Sequence, residues 1–329
     1  MPMRRGTAFA LIATAASLGT AARVCGAAEV VPLGPELAAG RLAVTANGQT
    51  VVCVDEGRRA IVAFDPLRPE KGRDLVAPAN PALPQPVAVG CLPGDVVAVV
   101  CRAGDEWSLR TYRTEPEGAA DPAEPTQLIR IGTASGSTAE VSIAVSHARG
   151  WLAVAGLPPP LLPVLRAAVA GVRLGPLTDR SCPRLPDGLR PIAAAVSPSD
   201  EIVLALRGSA DDEQIAFYDA AGHELLRLAA GVKGIGGIAF GRGDGLLWAA
   251  ATGGADGRAG LWRLDAVERE GKQEIRPTLV AAVAAARDVA AASERTLVVA
   301  SGGGPRRLMR IDPTITTTPN QATGKGTAP

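Results

Sequence analysis

Six times along the chain a short run of small apolar residues meets a turn rich in Gly, Asn, Asp, Ser or Pro and is followed by a second, bulkier apolar run. The six segments are LAVTANGQTVVCV from Leu42, VAVGCLPGDVVAVV from Val87, IAVSHARGWLAVAG from Ile143, AAAVSPSDEIVLAL from Ala193, GIAFGRGDGLLWAA from Gly237 and DVAAASERTLVVAS from Asp288. Two strand-like runs across such a turn predict a β-hairpin. With Val44, Val89, Val145, Val196, Phe240 and Ala291 taken as equivalent, the hairpins recur at steps of 45, 56, 51, 44 and 51 residues. That period is the length of a propeller blade and exceeds most solenoid repeats. Helical periodicity is almost absent between the hairpins; its best stretch, Leu162 to Ala170, is interrupted by Pro163 and lies where a third strand is due.

Downstream of the hairpins a third apolar run ends in a large residue followed by Asp: Ile61 to Asp65, Ile215 to Asp219, Leu261 to Asp265 and Leu308 to Asp312. The units around Tyr112 and Val172 lack the Asp. An Asp at a strand end turns the chain by bonding its own backbone, so no chemistry is needed to explain it. Fourth strands are expected after Gly72, Thr126, His223 and Arg276, but the last unit stops near Pro313 without one. The run EVVPLG, Glu29 to Gly34, is the candidate to complete it and close the ring, which would remove open sheet edges.

The strand-terminal dipeptide resembles the one that names the WD-repeat propellers, although the Gly-His pair that opens such repeats is missing. The resemblance and the hairpins together imply an all-β propeller over residues 29–313, of six four-stranded blades with the first strand closing the last blade. A seventh blade would have to come from the Pro-rich stretch Gly156 to Pro186.

Composition adds a compartment. Residues 1–28 have a basic start (Arg4, Arg5), an apolar run from Ala8 to Ala22, and Gly26 and Ala28 placed for cleavage before Glu29, the pattern of a secretory signal peptide. Kept uncleaved it would be an anchor, but its apolar run falls short of the roughly 20 residues of a spanning helix. The expectation is therefore export to a bacterial periplasm or beyond, with no membrane span in the mature chain. Residues 314–329 are polar and Thr-rich and read as a disordered tail. Export permits disulfides, and Cys53, Cys91, Cys101 and Cys182 allow three pairings, yet the first three sit in or beside apolar runs where free buried thiols are equally expected.

With 34 Lys and Arg against 33 Asp and Glu, the chain lacks the basic stripe of a nucleic-acid binder. Its two histidines, His147 and His223, fall in turns with no nucleophile elbow nearby. GVKGIGG from Gly231 precedes a strand, so no helix N-terminus would face a phosphate there. A quinone-dependent dehydrogenase propeller would carry regularly spaced tryptophans, whereas Trp107, Trp151, Trp248 and Trp262 are irregular.

What remains is the face formed by the second-to-third-strand loops and the blade connections. The candidate binding residues there are Asp55, Arg58, Arg102, Asp105, Trp107, Asp211, Asp256, Arg258, Arg306 and Arg307, with Glu56, Arg59, Glu106, Asp212 and Glu213 among them. A calcium centre needs six to eight converging oxygens; here arginines interleave the carboxylates, so no metal and no cofactor are expected. The sequence thus leads to a non-catalytic module that binds an envelope protein or a small ligand. The alternative is a lactonase- or lyase-like propeller enzyme with carboxylates at the channel mouth.

Overall fold

The computed structural model describes residues 28–313, apart from 34–36, 77–83, 95, 114–124, 139, 210–211, 255–256 and 303–306. The expected leader over residues 1–27 and the tail 314–329 lie outside the described residues. Among those described there is no helix, and hence none long and apolar enough to cross a membrane.

The chain forms six four-stranded antiparallel sheets. Blade 1 is β2 (Ala39–Val44), β3 (Val51–Asp55), β4 (Ala60–Asp65) and β5 (Arg68–Val76). Blade 2 is β6 (Gln85–Leu92), β7 (Val96–Ala103), β8 (Glu106–Arg113) and β9 (Gln127–Thr133). Blade 3 is β10 (Ser142–Ser146), β11 (Trp151–Ala155), β12 (Val164–Ala170) and β13 (Arg173–Leu174). Blade 4 is β14 (Arg190–Val196), β15 (Ile202–Arg207), β16 (Glu213–Tyr218) and β17 (Glu224–Ala229). Blade 5 is β18 (Val232–Phe240), β19 (Leu247–Gly254), β20 (Gly260–Arg269) and β21 (Lys272–Ala282). Blade 6 is β22 (Ala286–Ala291), β23 (Leu297–Ser301) and β24 (Arg307–Asp312), completed by β1 (Glu29–Leu33).

Each inner strand packs on the next, and β22 packs on β2, so the ring closes. Its last blade is closed by β1, which runs antiparallel to β24 with Glu29 opposite Asp312 and Leu33 opposite Leu308. Pro32 sits on this outermost strand, where a missing N–H can face solvent. The architecture is the six-bladed propeller expected from the repeat, and the stretch Gly156 to Pro186 adds no blade. It supplies β12 and the two-residue β13, with Arg166 bridging to Thr178. Val172 therefore lies in the turn after the third strand of blade 3; the residues that showed a weak helical pattern, Leu162 to Ala170, contain that strand instead. Antiparallel pairing of Trp151 to Ala155 against Ala168 to Val164 overrides the local pattern.

Turn chemistry follows the backbone. Glu270 and Gly271 both have positive φ, 53° and 73°, in the two-residue link between β20 and β21. A I′ turn demands this of both central residues, and it is the twist that suits a hairpin. The strand-terminal aspartates divide into two groups. Asp65 accepts from Leu67 N at 2.8 Å, and Asp219 from Ala221 N at 2.8 Å and His223 N at 2.9 Å, so both turn the chain as expected. Asp265 instead grips Arg263 at 2.8 Å, and Asp312 accepts from Thr296 Oγ1 at 2.8 Å.

Six apolar layers fill the wedges between adjacent blades. The wedge narrows toward the axis, which is why inner strands are built from Ala, Val and Gly while the bulk of Trp107, Trp248 and Tyr218 sits further out. Gly90 shows how tight the hub is: a Cβ there would stand 2.5 Å from Ile143 Cγ2 of the next blade. All four tryptophans are buried between blades, none forming a platform. Cys53, Cys91, Cys101 and Cys182 are free thiols, the first three buried, which settles the open alternative for these four against disulfides. Burial pushes the Cys101 thiol up to about 12 and the Cys182 thiol to about 11, so neither is a nucleophile at neutral pH.

Candidate binding site at the two mouths of the ring

The loops proposed from sequence do share one face, but they stand outward from the axis. In blade 1 the carboxylate of Asp55 is buried and shapes its own loop, accepting from Gly57 N at 3.1 Å and Arg58 N at 3.3 Å. Arg58 bridges it at 2.6 Å to Asp74, which it meets with two parallel hydrogen bonds of 3.1 and 3.0 Å. In blade 2, Arg102 donates to Gly104 O at 2.6 Å and Gly136 O at 2.7 Å, pairs with Asp105 at 3.4 Å, and lies 5.6 Å over the ring of Trp107. Trp107 itself is fully enclosed, its indole N–H donating to Ala134 O at 2.9 Å. It supports Arg102 from beneath and presents no surface of its own. Arg258 is exposed, Arg307 opens β24 opposite Ser301, and Asp211, Asp256 and Arg306 lie outside the described residues.

Nearer the axis on this face is a belt of charge that the loop-based reading found only in part. Arg207 of β15 joins Glu140 at 2.9 Å to Glu213 at 2.7 Å, and Arg190 reaches the other oxygen of Glu140 at 3.1 Å. The second oxygen of Glu213 accepts from Ile235 N at 2.8 Å, tying blade 4 to blade 5. Arg287 meets Glu56 at 2.9 Å across the seam where the ring closes. Glu56 and Glu213 were among the expected loop residues. Glu140, Arg190, Arg207 and Arg287 were not, because they lie at strand ends and in blade connections, where nothing in the local pattern marks them.

At the centre of the belt lies Arg41, 7% exposed, on the inner strand of blade 1. Its guanidinium donates to Val141 O at 2.8 Å, to Ile192 O at 3.2 Å and to Gly236 O, and stands 3.9 Å from Asp288. One side chain thereby links five of the six blades across the axis. A charge this deep survives because carbonyls and a carboxylate replace its water. Asp288 is held by two backbone donors, Leu42 N at 2.8 Å and Val289 N at 2.9 Å. Gly237 makes room for it, since a Cβ there would overlap its Oδ1.

Burial nevertheless raises the Asp288 carboxyl from 3.8 to about 6, with Arg41 opposing the rise. The folded state therefore favours the proton. The associated stabilisation is complete below pH 3.8 and lost as the pH climbs through about 6, a swing of roughly 3 kcal/mol at 1.36 kcal/mol per unit. Urea unfolding of Asp288→Asn alongside the wild type is expected to show the wild type losing ground to the variant between pH 4 and 7.5. A stability difference that does not move with pH would contradict this assignment.

Below Arg41 the axis opens into a cavity of about 310 Å³. Its walls are the inner-strand residues Val44, Val89, Ile143, Val145, Val196, Ile238, Phe240 and Val289. At the far end Arg242 donates to Ala291 O at 2.8 Å and to the carbonyls of Thr45 and Ala46, and His147 stands beside it on the rim. Both rim side chains are exposed while Arg41 and Asp288 are buried, so the cavity opens toward the first-to-second-strand turns, opposite the belt. Partial burial, then the charge of Arg242, hold the His147 imidazole below its usual pKa. Among the described residues no three metal-ligating side chains cluster.

No family model matches this sequence, and no curated protein does. Solved structures do. A PQQ-bound aldose sugar dehydrogenase from Streptomyces coelicolor superposes with a TM-score of 0.58 at 13% identity, over 88% of this chain and 99% of that one. A gluconolactonase from Xanthomonas campestris gives 0.55 at 14% identity, over 89% and 92%. A chain of the mitotic checkpoint complex gives 0.52 at 12% identity, over 91% and 96%. Likeness at such identities extends to the fold alone: the chain is a six-bladed β-propeller, whose site must be judged on its own residues.

Proposed function

We propose that the protein is an exported, non-catalytic binding module of the cell envelope that docks a protein partner on the loop face of its ring. The observation that carries this reading is the pairing on that face. Asp55, Asp74, Asp105, Glu56, Glu140 and Glu213 are each engaged by an arginine. Carboxylates so held do not converge on a cation. The more exposed of these pairs, unlike those of the buried Asp55 and Glu213, are worth only about 0–1 kcal/mol each, so they can be exchanged at small cost for a partner's charges, which set register and on-rate more than affinity. Of the outlying arginines, Arg58 and Arg258 are exposed and Arg102 is half-buried; these three are the donors assigned to the partner.

The test is capture of a cross-linked partner from the envelope fraction by the tagged protein. Reversing Arg58, Arg102 and Arg258 together to Glu is expected to abolish capture, while reversing Arg149 and Arg269, exposed on the opposite face, leaves it intact. Capture insensitive to the first set would remove the loop face from the proposal. Turnover of a lactone by the purified protein, strengthened by added calcium, would establish the enzymatic alternative, which the likeness to gluconolactonases supports.

A further inference from the structure

Of the two arginines at the ends of the axial cavity, one has a counter-charge and the other has none. Arg41 stands beside Asp288, whereas Arg242, exposed at the far rim, is bonded to the carbonyls of Thr45, Ala46 and Ala291. Carbonyls are neutral, so they fix the guanidinium across the mouth without cancelling its charge. Each guanidinium nitrogen gives one hydrogen to a carbonyl, and the two terminal nitrogens each keep a second donor.

Among the described residues no carboxylate pairs with Arg242. The acids of the surrounding turns are engaged elsewhere. Asp244 accepts from Leu246 N at 2.9 Å, Glu201 from Ser197 Oγ at 2.9 Å, and Asp200 from Ser146 Oγ at 2.6 Å, with Arg149 at 3.7 Å. Glu294 lies against Gly243 and does not reach Arg242. His147 shares the rim, and its lowered pKa leaves it a neutral donor at pH 7.5.

Behind this rim the cavity of about 310 Å³ has no charged side chain until the Arg41–Asp288 pair at its deep end. That volume is at the small end of the range for ligand sites. One uncompensated positive charge at the mouth of a neutral chamber complements a molecule with one anionic head and a compact body. A planar carboxylate suits guanidinium donors, and a single fixed cation matches a monoanion better than a phosphate dianion.

We propose that the axial cavity binds a compact organic monocarboxylate, with the carboxylate held by Arg242 beside His147 and the body lowered into the chamber. The site is independent of the docking face: partner capture and cavity occupancy are read on opposite mouths of the ring, and either can fail without the other.

Cyclohexanecarboxylate, cyclohexanecarboxamide and acetate separate the head from the body: one frame with a charge, the same frame without it, and the charge with almost no frame. Calorimetric titration of the full chain is expected to show the ring carboxylate binding at least about 10-fold more tightly than the amide, the ratio that a charge-assisted hydrogen bond supplies. Acetate is expected to bind more weakly than the ring carboxylate, because it leaves the chamber unfilled. Arg242→Gln should bring the ring carboxylate down to the level of the amide, and Arg242→Lys should keep part of the preference. Arg149→Gln, on the same face but outside the cavity lining, should change nothing. In NMR spectra the imidazole signals of His147 should shift on adding the ring carboxylate, while those of His223 stay in place.

Four results would overturn the proposal. The amide could bind as well as the carboxylate, or acetate as well as the ring compound, which would remove the head or the chamber from recognition. The preference could survive in Arg242→Gln. The His147 signals could stay fixed at saturation, placing the anion elsewhere. Should Arg242→Gln fail to fold, the wild-type ratios, the His147 shift and Arg242→Lys still decide.

Discussion

Arg41→Ala is expected to lower the unfolding free energy by roughly 3–5 kcal/mol, the cost of leaving a buried charge without its partner. Three carbonyls from blades 3, 4 and 5 lose their donor in the same step, and the carboxylate of Asp288 is left without the cation 3.9 Å away. Because Arg41 opposes the upward push of burial on Asp288, its removal raises that carboxyl further. The loss should accordingly be larger at pH 8 than at pH 5, and Asp288→Asn should recover part of it in the double variant. Arg41→Lys keeps the charge but cannot reach three carbonyls at once, so it should fall between wild type and alanine. The exposed Arg130 is the contrast: its pair with Glu106 sits at the surface on both sides, and Arg130→Ala should cost no more than about 1 kcal/mol. Denaturant titrations at the two pH values decide this. Equal, small losses for Arg41→Ala and Arg130→Ala would show that the axial guanidinium is not holding the blades.

The ring was legible in the sequence because propeller blades repeat their physical problem six times. Each must put small side chains at a narrow hub and larger ones outside, and each must turn tightly between strands, so the pattern of Leu42 to Val54 returns at Asp288 to Ser301. Closure was legible for a similar reason: the last blade lacked a strand, and EVVPL was an apolar run with no other sheet to join. Blade 3 was harder, because Leu162 to Ala170 has a composition compatible with either a helix or a strand, and only its partner Trp151 to Ala155 decides.

The candidate site was legible in part. Loop position pointed to Asp55, Arg58, Arg102 and Asp105, which stand at the second-to-third-strand turns of blades 1 and 2 and pair within their own loops. Arg41 was invisible, since a single arginine in Ala-Gly-Arg-Leu-Ala looks like an ordinary strand-edge charge until six blades aim it along one axis. Trp107 shows the opposite error. An aromatic residue beside a loop suggests a docking anchor, but its indole is turned into the wedge between blades 2 and 3 and bonded to Ala134.

Removing residues 29–33 should have the largest effect on the assembly as a whole. β1 supplies the fourth strand of blade 6, with five residue pairs to β24, and Leu33, 3% exposed, packs into the wedge between blades 6 and 1. Burial of one such leucine is worth about 1.5–3 kcal/mol, before any backbone hydrogen bond is counted. The second consequence is an exposed edge. Without β1 the backbone of Arg307 to Asp312 is open to any other strand, and an unprotected edge is a template for self-association. The shortened chain is therefore expected to melt at a lower temperature and to elute as concentration-dependent oligomers. A synthetic EVVPL peptide added in excess should reverse both changes by re-pairing with β24, since it restores the same register. Val31→Pro in the intact chain gives a milder form of the experiment, placing a second proline opposite Arg310. If the shortened protein stayed monomeric with an unchanged melting temperature, β1 would be an ornament on a ring already closed by the contact of β22 with β2. The hub alone would then carry the closure.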